Sequence, residues 1–107
     1  MDLVSFSLIA SMFFVYALMS TLKSYIYVGL TNDFARRFHE HNSGQNRTTK
    51  PYLPFKKLLL ETYPTRISAR KREKFLKSGI GKEHLKSLET NVRNVEVVNL
   101  PAGRQDW

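Results

Sequence analysis

Residues 13–31 read FFVYALMSTLKSYIYVGLT, and this stretch decides the fold. Phe13–Leu18 and Ser24–Leu30 are dense in aromatic and β-branched residues, the types that fit a pleated, half-buried surface. Ser20–Ser24 between them is a turn with Lys23 at its tip. Two such runs joined so briefly predict an antiparallel hairpin. Downstream, Thr31-Asn32-Asp33 offers a helix cap. Phe34, Arg37, Phe38 and His41 then recur at i, i+3, i+4 and i+7, one face of a helix. Asn42-Ser43-Gly44 closes it, with Gly44 suited to the left-handed position after a helix.

The polar stretch from Gly44 to Pro54, GQNRTTKPYLP, predicts an irregular loop. Lys57–Tyr63 reads as a third strand. Pro64 and Thr65 start a second helix, on which Ala69, Glu73, Leu76 and Ile80 keep near-helical spacing; Gly79 and Gly81 break it. Lys82–Leu88 forms a short third helix. The predicted fold is α/β (α+β): a small, mainly antiparallel three-stranded sheet flanked by three helices, in the order β-β-α-β-α-α.

At 107 residues the chain has the length of one domain. Seventeen Lys and Arg against nine Asp and Glu leave a net charge of +8. So large an excess in so small a domain points to a polyanionic partner. The absence of cysteine excludes a disulfide scaffold, thiolate metal sites and a Cys nucleophile. The chain is too short for a dinucleotide-binding domain with a separate substrate domain.

Domain limits are expected at 12–90. Residues 1–11 read as an extension outside the domain. Met1–Ser20 is long enough for a membrane span but is interrupted by Ser5, Ser7, Ser11 and Ser20. It carries Asp2 and no Lys or Arg near the start, unlike a signal peptide. The expectation is a cytoplasmic protein without a membrane anchor. Residues 91–107 read as a mobile C-terminal tail with a turn at Pro101-Ala102-Gly103.

The candidate chemistry is carried by Tyr16, Tyr27, Arg37 and Glu73. Two phenols, a guanidinium and one carboxylate suit phosphodiester cleavage. A lone carboxylate can hold Mg²⁺ or Mn²⁺ with water and phosphate filling the other positions. A guanidinium clamps phosphate oxygens with its planar fork. A tyrosine takes the proton of the attacking water if neighbouring cations lower its pKa from about 10. Gly29 allows an approach that a side chain would block.

Phe14-Val15-Tyr16, Tyr27-Val28-Gly29, Asp33-Phe34-Ala35-Arg36-Arg37, His41-Asn42 and Arg72-Glu73-Lys74 together resemble the GIY-YIG endonuclease superfamily. Within it the chain is similar to small single-domain bacterial proteins related to the catalytic N-terminal domain of the excinuclease C subunit. The likeness runs from about Phe13 to Leu88. It implies one-metal hydrolysis of DNA by water, with Tyr16 as the preferred general base. Tyr27 would orient the water or bind phosphate, Arg37 would be the catalytic arginine and Glu73 the metal ligand. His41 would be a helper in the cleft. Phe14 stands where the first motif has glycine, and Val28 where the second has isoleucine. Ser68 stands where a carboxylate is common, which leaves the metal to Glu73.

Each residue also has a plainer role. A strand tyrosine is usually half-buried core. Glu73 has Lys77 four residues on, the spacing of a helix ion pair. His41 equally suits the capping of a helix end.

Arg36, Arg47, Lys50, Arg70, Lys74 and Lys77 are the candidate nucleic-acid contacts. Six neutralised phosphates would give a log–log salt slope of about −5. No recognition module fits in the remaining length, so backbone shape or a protein partner would set the target. RNA is not separated from DNA by any residue here. The functional expectation is a metal-dependent, structure-selective DNA endonuclease of repair or recombination. The alternatives are a non-catalytic nucleic-acid-binding module of the same fold and a small membrane-associated protein.

Overall fold

The computed structural model describes residues 12–98, with side chains described through Arg93. The expectations for residues 1–11 and for the turn at Pro101–Gly103 lie outside the described residues. Strands β1 (Phe13–Ser20) and β2 (Ile26–Thr31) are followed by helix α1 (Phe34–Asn42). A single 3-10 turn at Lys50–Tyr52 then leads to strand β3 (Phe55–Tyr63), and α2 (Arg66–Leu76) and α3 (Gly79–Val98) complete the chain. This is the order expected from the sequence.

The sheet is wholly antiparallel, in the order β2-β1-β3. β1 is the central strand, so its side chains must satisfy two packed faces, and Val15–Ser20 are all buried. Alternation along β1 divides the core. Val15 and Ala17 pack with Val28, Ala69, Leu76 and Leu85 on the face covered by α2 and α3. Tyr16 and Leu18 pack with Phe55 on the other face, joined by Tyr25, Tyr27, Phe34 and Phe38. The first set is aliphatic. The second is aromatic and carries the polar groups.

Helix starts follow the capping residues. Asp33 accepts from the Arg36 amide at 3.1 Å, and Thr65 accepts from the Ser68 amide at 3.1 Å. Gly44 follows α1 with φ +81°, a conformation that disfavours any residue with a Cβ. α2 is tied to the far strand by Arg72, whose Nε and Nη2 donate to the two Glu61 oxygens at 2.9 and 3.1 Å.

Several boundaries differ from the sequence reading: α2 ends at Leu76, so Ile80, expected on it, lies on α3, and the ends of β1 and β2 shift by one or two residues. β3 begins at Phe55, which is buried against Tyr16 and Leu18 and therefore belongs to the sheet. α3 is also longer than Lys82–Leu88, starting at Gly79 and running to Val98. Residues 91–98 are therefore helix rather than loose tail. Leu85 and Leu88 pack on the aliphatic face, and no Pro or Gly stops the helix until Pro101.

Candidate active site

The aromatic face brings four of the five predicted residues together. Tyr16 points from the central strand at α1, with its ring edge-on to Phe34 at 5.6 Å between centroids. In the register of the sheet Tyr16 faces Gly29 and Leu18 faces Tyr27. Tyr16 and Tyr27 are thus diagonal neighbours, 6.1 Å apart between ring centroids. Gly29 is required here, because a Cβ at that position would collide with the Tyr16 hydroxyl and Cζ. The close approach foreseen at Gly29 is made by the Tyr16 ring.

α1 supplies Arg37 and His41, four residues apart and therefore on one face. Tyr16 and His41 are both 0% exposed. The Tyr16 hydroxyl lies 3.1 Å from His41 Nε2, and His41 Nδ1 lies 2.9 Å from Thr49 Oγ1. The Thr49 hydroxyl donates to the Asn46 carbonyl at 3.5 Å. Burial, and then the Arg37 charge, hold the His41 pKa below 6.5, so the imidazole is neutral at pH 7. A neutral imidazole has one donor and one acceptor. If the Thr49 proton is used on Asn46, His41 Nδ1–H donates to Thr49 and Nε2 accepts from Tyr16. Thr49, absent from the sequence expectations, is thus the second hydrogen-bond partner of the His41 ring. A threonine in a polar loop gives no signal of this in the sequence.

Burial above all, and then Tyr27, push the Tyr16 pKa up to about 12, against the pull of the Arg37 guanidinium. At Tyr16 burial thus outweighs the pull of the neighbouring guanidinium, and the phenol is raised where a lowering was expected. Tyr27 is only half-buried, and its ring lies 4.7 Å from the His41 ring. Arg37 donates from Nη1 to Glu40 at 2.8 Å. Burial opposes its charge, but the bonds to Glu40 and Tyr16 outweigh this and raise its pKa. Glu40, a further residue missed in the sequence, fixes the guanidinium beside the phenols.

Glu73 stands apart from this cluster. It lies on the buried stripe of α2 with Ala69 and Leu76, the helix that covers the aliphatic face. Glu73 is 6% exposed, and its carboxylate pairs with Arg70 Nη1 at 2.9 Å and Lys77 Nζ at 3.3 Å. The ion pair suggested by the Glu73–Lys77 spacing is thus formed. Among the described residues no hydrogen bond or ion pair joins Glu73 to Tyr16, Tyr27 or Arg37. β2 forms one edge of the sheet. A cavity of about 450 Å³ there is lined by Tyr27 and by Lys77, the ion partner of Glu73. Its wall also includes Ile26, Val28, Lys82 and Lys86.

Among the described residues no three His, Cys, Asp or Glu side chains converge as a metal cage. The donor set is a single carboxylate oxygen pair. That fits a hard divalent cation that keeps most of its water and takes phosphate as a further ligand. Arg70 and Lys77 are themselves more than half exposed and free to turn aside.

Of the six candidate nucleic-acid contacts, Arg36, Arg70 and Lys77 are held in ion pairs. Arg47, Lys50 and Lys74 are exposed and have no carboxylate partner among the described residues.

A strand-tyrosine pair, an α1 arginine and histidine, and an α2 glutamate on a three-stranded sheet define a nuclease-type domain. The chain belongs to the GIY-YIG catalytic domain family, whose model matches residues 12–86. Nucleic acid is accordingly its substrate class, and nucleases of this family generally use a divalent metal. No curated protein and no solved structure gives a significant match. No helix among the described residues is long and apolar enough to cross a membrane.

Proposed function

We propose that the protein is a metal-dependent endonuclease that hydrolyses DNA phosphodiester bonds and selects its target by structure rather than sequence. The observation that carries this reading is the packing of Tyr16, Tyr27, Arg37 and His41 against one another on a domain of nuclease type. Arg37 binds and orients a phosphate oxygen with its fork. Tyr27, the less buried phenol, meets the attacking water and orients it through a hydrogen bond to its hydroxyl. Tyr16, closed off from solvent and hydrogen-bonded to His41, fixes the ring packing behind Tyr27 rather than serving as the base itself. Glu73 would hold Mg²⁺ or Mn²⁺. Such a cation, when bound, neutralises charge on the phosphate and on the leaving oxygen.

The exposed cations Arg47, Lys50 and Lys74 give affinity through the phosphate backbone, without base reading. Selectivity then comes from a nick, flap, branch or damaged site, in repair or recombination, or from a protein partner. A cysteine-free basic chain acting on DNA fits the cytoplasm. The decisive assay incubates the chain with duplex, flap, branched and single-stranded DNA, with Mg²⁺ or Mn²⁺ and a Glu73→Ala control. Cleavage that Glu73→Ala abolishes supports the reading; cleavage that survives it does not. A second reading, a non-catalytic binding module, is favoured by the ion-paired state of Glu73 away from the tyrosines. It predicts binding to the same panel with no metal-dependent cleavage.

A further inference from the structure

A second cavity, of about 320 Å³, opens at the end of β2 and is lined by Leu30, Thr31, Asn32, Arg36, Arg37 and Arg66. Three arginines from two helices line it. Arg36 and Arg37 share Glu40, at 3.1 and 2.8 Å, and Arg36 also lies 3.7 Å from Asp33. Arg66 has no carboxylate partner among the described residues. Its guanidinium carbon lies 5.1 Å from the centroid of the Phe13 ring. Stacking uses the face of the guanidinium and leaves its in-plane N–H donors free for a bidentate acceptor. The Thr31 hydroxyl is committed to Asp33, accepting from its amide at 3.0 Å.

The volume is far larger than the ~30 Å³ share of a water, so a hydrated anion fits. Glu40 and Asp33 take up part of the Arg36 and Arg37 forks and leave Arg66 uncommitted, so the cavity keeps an excess of guanidinium donors suited to a phosphate. Arg37 belongs both to this cavity and to the tyrosine cluster, so a strand whose phosphate lies on Arg37 runs directly into it.

We infer that this cavity is a second phosphate subsite, and that it takes the backbone phosphate next to the one being cleaved. Arg66 is its principal ligand and Phe13 positions the Arg66 fork. The inference rests on the nuclease reading for the identity of the strand, but phosphate binding can be read without cleavage. The test titrates inorganic phosphate into the full chain at constant ionic strength. The amide resonances of Thr31 and Asn32 and the Arg66 Nε–H are followed by NMR. Saturable shifts are expected in the wild type. Binding weakens about tenfold in Arg66→Ala, the effect of losing one hydrogen-bonded charged partner, and Arg66→Lys restores it only in part. The log–log salt slope for duplex DNA falls by about 1 in Arg66→Ala. Arg66 is exposed, so the variant folds, and its circular dichroism should match the wild type. If Arg66→Ala titrates as the wild type does and keeps the salt slope, the subsite is overturned. A chain that binds phosphate but never cleaves DNA keeps the subsite and loses the nuclease reading. A chain that cleaves, with phosphate binding indifferent to Arg66, loses the subsite alone.

Discussion

The Tyr16 hydroxyl is hydrogen-bonded to His41 Nε2 across 3.1 Å, both groups being sealed from solvent between the central strand and α1. With the Asn42 side chain, which bonds both the Phe55 carbonyl and the Phe55 amide, this contact joins the sheet to the helix that carries Arg37. Tyr16→Phe keeps the ring and its edge-on contact with Phe34 but leaves Nε2 buried and unsatisfied. A loss of about 1–3 kcal/mol is expected, the cost of an unpaired buried polar atom. Urea denaturation of the two proteins measures it. A variant as stable as the wild type would mean that water reaches His41.

Thr49→Val tests the tautomer separately. The substitution keeps the shape of the buried side chain and removes the acceptor for His41 Nδ1–H. The ¹⁵N shifts of the imidazole should then move away from the Nδ1–H form. The fold survives, because Thr49 lies outside the sheet. An unchanged imidazole spectrum would show that Thr49 does not choose the tautomer.

Acidity acts on the same pair in opposite directions. The His41 pKa is lowered in the folded protein, so the unfolded chain binds the proton more readily. The stability from neutral His41 is fully present above about pH 6.5 and is lost as pH falls through the lowered folded value. The slope is at most about 1.4 kcal/mol per pH unit for one proton. Tyr16 is raised to about 12, so its contribution is present below the ordinary value of 10.0 and is lost as pH rises through about 12. Thermal melts from pH 5 to 8 should show the acid limb, and His41→Gln should flatten it. Phenolate absorbance should show one tyrosine that Tyr16→Phe removes titrating near pH 12.

The order of elements and the two-faced central strand were legible because alternation and capping are local signals. Phe34, Arg37, Phe38 and His41 already mark one face of α1, and the hairpin brings Tyr16 and Tyr27 onto one face of the sheet. What was not legible is long-range. Thr49 meets His41 only because the loop folds back over α1, and Arg66 meets Arg36 and Arg37 only because α2 starts near the end of β2. Glu73 shows the limit of motif order. Its place on α2 was read correctly, but sequence order cannot say that its helix covers the opposite face from the tyrosines. The length of α3 was underestimated because Asn91 and Asn94 weaken helix propensity, while Leu85 and Leu88 anchor the helix through packing.

Gly29→Ala probes the packing against the phenol directly. The new methyl group would overlap the Tyr16 hydroxyl and Cζ, and both lie in a fully buried ring that has no room to withdraw. Overpacking of this kind costs about 1–3 kcal/mol and would pull Tyr16 off His41. A drop in the denaturation midpoint together with a displaced His41 resonance is expected. A stable variant with the wild-type His41 resonance would place the Tyr16 ring elsewhere.

Glu73→Gln separates catalysis from structure. The carboxylate is buried, but its two partners, Arg70 and Lys77, are mostly in water, where exposed cations contribute little to stability. Glutamine has the same shape and keeps an acceptor oxygen for one of the two cations, while the other, facing the amide NH2, turns to water. Stability should therefore change by less than about 1 kcal/mol. A neutral amide is a far weaker ligand for Mg²⁺, and the charge stabilisation a bound cation gives is worth several kcal/mol. Metal-dependent cleavage should fall by more than about a hundredfold. DNA binding should be unchanged or tighter, since a negative charge is lost from a basic surface. Three measurements on one variant decide the role: the denaturation midpoint, the DNA dissociation constant and the cleavage rate. A variant that cleaves normally would leave Glu73 as no more than the ion partner of Arg70 and Lys77.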